Sequence, residues 1–177
     1  GAQLFLTDQS ATKVHRMPHP GTCARVSQTI TVGEGAMLEY SPEPIILFDD
    51  AELEQQIHVT LHPTASLCLT EMVLPGRLAR EECFGFRRYQ SRLNVQSSTS
   101  PQGTPSDGDV LFTDAMQLTG QSNPFRTSPF FAALPAIASL ILVHPTLDLD
   151  RLATQLDGTP EANSSNLRVY YSRLPNC

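Results

Sequence analysis

The carboxylates are the side chains of this sequence best placed to do chemistry. Glu43 stands between Pro42 and Pro44. Each proline fixes φ and lacks a backbone donor, so this carboxylate hangs from a rigid elbow. Glu71 lies inside the apolar run Leu67 to Leu74, where a lone carboxylate either faces solvent or has a partner. Glu39 sits in Met37-Leu38-Glu39-Tyr40, and Glu82 follows Arg77, Arg80 and Glu81 closely enough for a local ion network. Lys13 and Arg16, beside Thr12, read either as a dock for a carboxylate or a partner or as a solvated turn. His15, His19 and Cys23 stand four apart, a spacing that on a helix would align three ligands for a soft or borderline metal. Pro18, Pro20 and Gly21 forbid that helix, so these read first as solvated loop residues, and only a loop could gather them around a metal. His58 and His62 share one face of a predicted strand and read as surface residues; His144, before Pro145, reads as a strand end.

Other catalytic signatures are missing. The sequence has no phosphate-binding loop, dinucleotide glycine fingerprint, nucleophile elbow or H-E-x-x-H pair. A formal charge of −6, with 12 Lys and Arg in no dense block, argues against a nucleic-acid partner. The longest apolar run, Ala136 to Val143, is far short of the ~20 residues of a membrane span, and no signal peptide is visible. Cys23, Cys68, Cys83 and Cys177 form no C-x-x-C pair and read as reduced thiols of a cytoplasmic protein.

The elements that must position these groups are strands. Gly35-Ala36 opens a turn, Met37 to Tyr40 reads as a strand, Ser41 to Pro44 as an elbow, and Ile45 to Phe48 as a second strand stopped by Asp49-Asp50. The pattern repeats. Gly1-Ala2-Gln3-Leu4-Phe5-Leu6-Thr7 and Thr64-Ala65-Ser66-Leu67-Cys68-Leu69-Thr70 match Gly35 to Tyr40, and Ile30-Thr31-Val32 corresponds to Val59-Thr60-Leu61. A strand repeat of about 30 residues favours stacked or coiled β layers that bury their apolar faces on one another over three ordinary hairpins that share turn residues. Alternation in Val26 to Val32 and in Ile57 to Leu61 predicts half-buried antiparallel strands. The expected fold is therefore all-β, mainly antiparallel, with one or two short α-helices. One helix is expected from Ser128-Pro129 toward Leu134. A second carries Leu149, Leu152, Ala153 and Leu156 on one face and stops at Gly158. Ser97 to Asp109 reads as a flexible loop, and Leu167 to Tyr171 as a tail strand. The chain is expected to be one domain over residues 1–177, incomplete at both ends.

Three ordered segments resemble the UreD/UreH urease accessory family. Ser10-Ala11-Thr12-Lys13-Val14-His15-Arg16 is similar to its A-T-K-V-Y-R-like segment. Leu38-Glu39-Tyr40-Ser41-Pro42-Glu43-Pro44-Ile45-Ile46-Leu47-Phe48 is similar to L-E-W-L-P-Q-x-x-I-x-F. Glu71 to Phe84 is similar to the segment ending G-R-x-A-x-G-E-x-F. His15 stands where an aromatic is usual, Tyr40 for Trp, Ser41 for Leu, Glu43 for Gln, and Glu81 and Arg87 each for a glycine. The resemblance implies a non-catalytic, all-β assembly factor. Such a factor binds apo-urease and UreF- and UreG-like partners, and passes nickel in transit without binding any cofactor tightly. Its implied partner or path residues here are Thr12, Lys13, Arg16, Glu39, Glu43, Glu71, Arg77 and Glu82, with Pro42, Phe48, Gly76 and Phe84 structural. Two other readings remain at this stage. One is a cupin-like metal enzyme, which needs His58, His62 and a carboxylate facing together. The other is a β-repeat interaction module unrelated to urease, marked by an exposed apolar face and no polar channel.

Overall fold

The computed structural model describes residues 1–99, 108–122, 136–157 and 171–172. Ten strands and one α-helix are present among them. In chain order the strands are β1 (Gln3–Leu6), β2 (Thr12–Val14), β3 (Ala24–Val32), β4 (Met37–Tyr40), β5 (Ile45–Leu47), β6 (Glu52–Leu61), β7 (Ser66–Leu74), β8 (Arg88–Ser97), β9 (Asp109–Leu118) and β10 (Ile137–Val143). The helix is α1 (Leu149–Asp157).

The chain coils between two facing sheets. Each turn of the coil lays a strand, or a broken pair of strands, in the first sheet and then one long strand in the second. The first sheet stacks β1 on β4 on β7, with β2 and β5 continuing the same two layers beyond the elbows. The second stacks β3 on β6 on β8. All of these pairings are parallel. Among the described pairings, only β10 on β7 and β9 on β8, which close the far end of the stack, run antiparallel. The expectation of a mainly antiparallel fold is therefore corrected. Alternation of apolar and polar residues marks a half-buried strand of either sense, and a coil must bring equivalent strands back in the same direction.

The repeat seen in the sequence sets the register. Gln3, Met37 and Ser66 stand side by side, and so do Leu6, Tyr40 and Leu69. In the second sheet Ile30 pairs with Val59 and Val32 with Leu61. Inward residues of the middle layers are almost fully buried, Leu69 at 0% exposure and Leu38 at 6%. Their equivalent in the outermost layer, Leu4, is 55% exposed, because β1 is an edge strand. The outer face of the second sheet is polar, with Arg25 paired to Glu54 and Arg88 to Glu52 across neighbouring strands. The outer face of the first sheet instead shows Phe5, Met37, Met72, Leu140 and Leu142.

The elbow Ser41–Pro44 breaks the first sheet between β4 and β5 as expected. β2 lacked a readable period because it is only three residues long; its partner β5 makes it a strand. The helix α1 forms where its apolar spacing predicts, and Asp148 caps it by accepting the Arg151 backbone N–H at 3.0 Å. Residues 100–107 of the expected loop, the helix expected from Ser128-Pro129, the stop at Gly158 and the tail from Leu167 to Tyr170 lie outside the described residues. No helix among the described residues is long and apolar enough to cross a membrane.

Candidate functional site

Each of three central strands places one polar residue on its inward face between apolar ones. In β6 it is Gln55, between Leu53 and Ile57; in β8, Ser91, between Tyr89 and Leu93; in β7, Glu71, between Leu69 and Val73. The register puts Gln55 beside Ser91 in the second sheet, with Glu71 facing them from the first. These residues divide the apolar interior in two. One cluster holds Ile57, Leu69 and Leu93; the other holds Leu53, Val73 and Tyr89. A seam of polar side chains runs between them.

The seam is tightly bonded. Gln55 Nε2 donates to Glu71 Oε1 at 2.6 Å, and the Ser91 hydroxyl donates to the same oxygen at 3.2 Å. Both bonds fall on Oε1, and neither reaches Oε2. Burial raises the Glu71 carboxyl above the usual glutamate range, and the charge of Asp114 on β9 adds to this; the Ser91 and Gln55 hydrogen bonds pull the other way. Tyr89, at the edge of the seam, has its phenol pushed up by burial and by the negative charge of Glu71. Further polar groups lie one register step away, where Gln28, Tyr40 and Asp114 are level with Ile57, Leu69 and Leu93. Toward the first layer, Gln28 of β3 donates to the Tyr40 hydroxyl at 2.9 Å. Toward the last layer, Ser139 of β10 stands opposite Glu71, and exposed Asp114 lies on the inward side of β9, opposite Leu93. Oxygen-bearing groups thus recur from the first layer to the last. Such donors suit a hard or borderline divalent cation held weakly.

A second feature lies where the coil turns from the first sheet to the second. Phe48 is flanked by His15, edge-on with ring centroids 4.8 Å apart, and by the Arg77 guanidinium, 4.4 Å from its centroid. Both Arg77 nitrogens Nε and Nη2 donate to the Glu82 carboxylate, which holds that carboxyl below its usual range. Asp50, with φ of 59°, meets Arg16 at 3.4 Å and Arg87 at 3.5 Å, and accepts from Gln121 Nε2 at 3.1 Å. His15, Arg16, Phe48, Asp49, Asp50 and Arg77 line a cavity of about 450 Å³. Three segments far apart in sequence therefore meet in one charged recess.

The structure separates the remaining site residues. Thr12 and Lys13 are exposed on the short edge strand β2, Glu39 is exposed on the outer face of the first sheet, and Glu43 projects into solvent from its elbow. Pro42 breaks the sheet. Phe84 is buried, with φ of 60°. Gly76 is structural, because a Cβ there would run into the Glu82 carbonyl oxygen. His19 and Cys23 do not join His15 around a shared point. The His19 carbonyl accepts from Thr22 and Arg87, and the Cys23 thiol donates to the Ala24 carbonyl. Cys23 and Cys68 carry thiols outside any disulfide; Cys177 lies outside the described residues. Among the described residues no three His, Cys, Asp or Glu side chains come close enough to hold a metal ion together. His58 faces Asn94 on the outer sheet surface, while His62 sits in the turn after β6, so the cupin arrangement does not form.

Gln55 and Ser91 were missed from the sequence. The alternation through Ile57, Val59 and Leu61 identifies the inward phase of β6, and two steps back along that phase is Gln55. Leu93 and Val95 point to Ser91 in the same way.

The chain is thus a coiled, two-sheet β protein with a polar seam inside and a charged recess at one turn. The chain belongs to the UreD urease accessory protein family, whose family model matches residues 1–177. It is 44% identical over 176 residues to a urease accessory protein UreD of Trichodesmium erythraeum, covering 99% of this chain and 60% of that protein. It is 42% identical to the UreD of Haloarcula marismortui (99% and 54% covered) and 29% identical to that of Photorhabdus laumondii (97% and 50% covered). The chain thus spans between half and three-fifths of the length of these curated relatives. The resemblance sets a glycine at position 81 and an aromatic at position 15. Glu81 has φ of 59°, a conformation that favours glycine. His15, where an aromatic is usual, packs edge-on against Phe48.

Proposed function

We propose that the chain serves as the nickel-delivery scaffold of a urease assembly complex. In this reading the polar seam through Gln55, Glu71 and Ser91 conducts nickel as cargo toward apo-urease. The recess around Phe48, Arg77 and Asp50 docks a partner, with UreF-like and UreG-like proteins completing the complex in the cytoplasm. The chain catalyses no reaction itself. The carrying observation is a carboxylate placed mid-way between two apolar clusters, with hydrogen bonds on one oxygen only. A fully apolar interior would be easier to build, because burying a carboxylate costs stability even when it is hydrogen-bonded. Its retention therefore suits a path that must attract a cation yet release it, since an ion in transit needs weak, multiple sites. Exposed Lys13, Glu39 and Glu43 then serve contact surfaces rather than the path. The test is co-purification of the tagged protein from a urease-positive host. Recovery of urease subunits and a UreF-like protein supports the reading; recovery of neither removes it.

A further inference from the structure

The tripeptide His-Pro-Thr occurs twice, at 62–64 after β6 and at 144–146 after β10. The two copies fold alike. The Thr64 backbone N–H donates to His62 Nδ1 at 3.2 Å, and the Thr146 backbone N–H donates to His144 Nδ1 at 3.1 Å. Each threonine hydroxyl also approaches the same nitrogen, at 2.8 Å and 3.4 Å. The Thr64 oxygen itself accepts from the Gly35 N–H at 2.9 Å, which directs its own proton toward His62. Nδ1 is thus an acceptor in both rings, and each neutral imidazole carries its proton on Nε2.

Antiparallel pairing of Val143 with Leu67 brings the second turn beside the first. Both histidines line one cavity of about 200 Å³ walled by Leu61, Ala65, Leu111 and Val143, with Ser97 as its hydroxyl. In a chain of net charge −6 this lining contains no Asp or Glu, whereas the larger recess has Asp49 and Asp50. The tautomer works against a metal, because Nε2 would have to give up its proton while Nδ1 is already engaged. It suits a hydrogen-bond acceptor. A carboxylate presents two oxygens to several donors and makes stronger bonds than a neutral carbonyl.

We infer that this cavity is a binding site for a short aliphatic carboxylate, held by the twin His-Pro-Thr turns with its apolar body against Leu61, Leu111 and Val143. The site is separate from the polar seam and independent of the nickel reading. The test is a titration of the whole chain with isobutyrate, followed by long-range ¹H–¹⁵N spectra of the imidazoles. The free protein should show the Nε2–H tautomer at His62 and His144. Isobutyrate should shift both in a saturable manner and leave His58 unmoved. Exposed His144→Gln should weaken the response at His62 at least fivefold. The inference is overturned by no saturable shift with isobutyrate, by equal binding of isobutyramide, or by an unchanged His62 response in H144Q.

Discussion

Gln55 and Glu71 come from different sheets, and the amide nitrogen of one lies 2.6 Å from the carboxylate oxygen of the other. That bond joins the two sheets where the described apolar core divides into two clusters, and it ties down the half-buried acid. Its consequences are open to measurement.

The first concerns pH. Glu71 has a raised carboxyl in the folded chain, chiefly through burial, so between its unfolded and folded values the native state holds the extra proton. Stability therefore falls as pH rises from the ordinary glutamate range, about 4.3, through the raised folded value, and is level above it. Urea unfolding at a series of pH values should show wild type losing stability with rising pH relative to Glu71→Gln. Parallel pH profiles for the two proteins would contradict the assignment.

The coil makes a prediction about packing. Leu69 is fully buried between the sheets, whereas Leu140 faces outward from β10 and is 60% exposed. Leu69→Ala should cost about 3 kcal/mol through lost burial and a cavity. Leu140→Ser should change stability by no more than about 0.5 kcal/mol. Chemical denaturation with a fluorescent or circular-dichroism readout separates the two; equal effects would mean the sheet faces are wrongly assigned.

Glu81 supplies a gain-of-stability test. Its φ of 59° suits glycine far better than glutamate, and a left-handed non-glycine residue costs roughly 1–2 kcal/mol. Glu81→Gly should raise stability by up to about 1 kcal/mol after the added chain entropy of glycine is set against it. A clear loss on denaturant titration would show that the Glu81 side chain has a stabilising role.

At the charged recess, Arg77 covers Phe48 and forks onto Glu82. Arg77→Lys keeps the charge but loses the planar fork. It should weaken capture of urease-complex partners on the order of tenfold, while far-ultraviolet circular dichroism stays as in wild type. Undiminished capture would move the docking surface elsewhere.

Much of this architecture was legible before coordinates. The Gly-Ala steps at 1–2 and 35–36, matched by Thr64-Ala65, gave the register in which Gln3, Met37 and Ser66 now stand side by side. The proline elbow and α1 were also readable, because proline and helical spacing act locally. Strand direction was not, since alternation through Val26–Val32 is the same whichever way its neighbour runs. The recess was not readable as a place, because His15, Phe48 and Arg77 meet only through the coil. Glu71 stood out as an acid in an apolar strand, whereas Gln55 and Ser91 needed the inward phase of two other strands to be extended by one step.

The most direct measurement is the nickel content of urease assembled in a urease-positive host whose accessory protein carries Glu71→Leu, Gln55→Leu and Ser91→Ala together, which removes the acid and both of its hydrogen-bond donors at once. Partner capture should persist while nickel per urease active site, read by elemental analysis, falls several-fold. Fully nickel-loaded urease from that host would contradict a path through the seam.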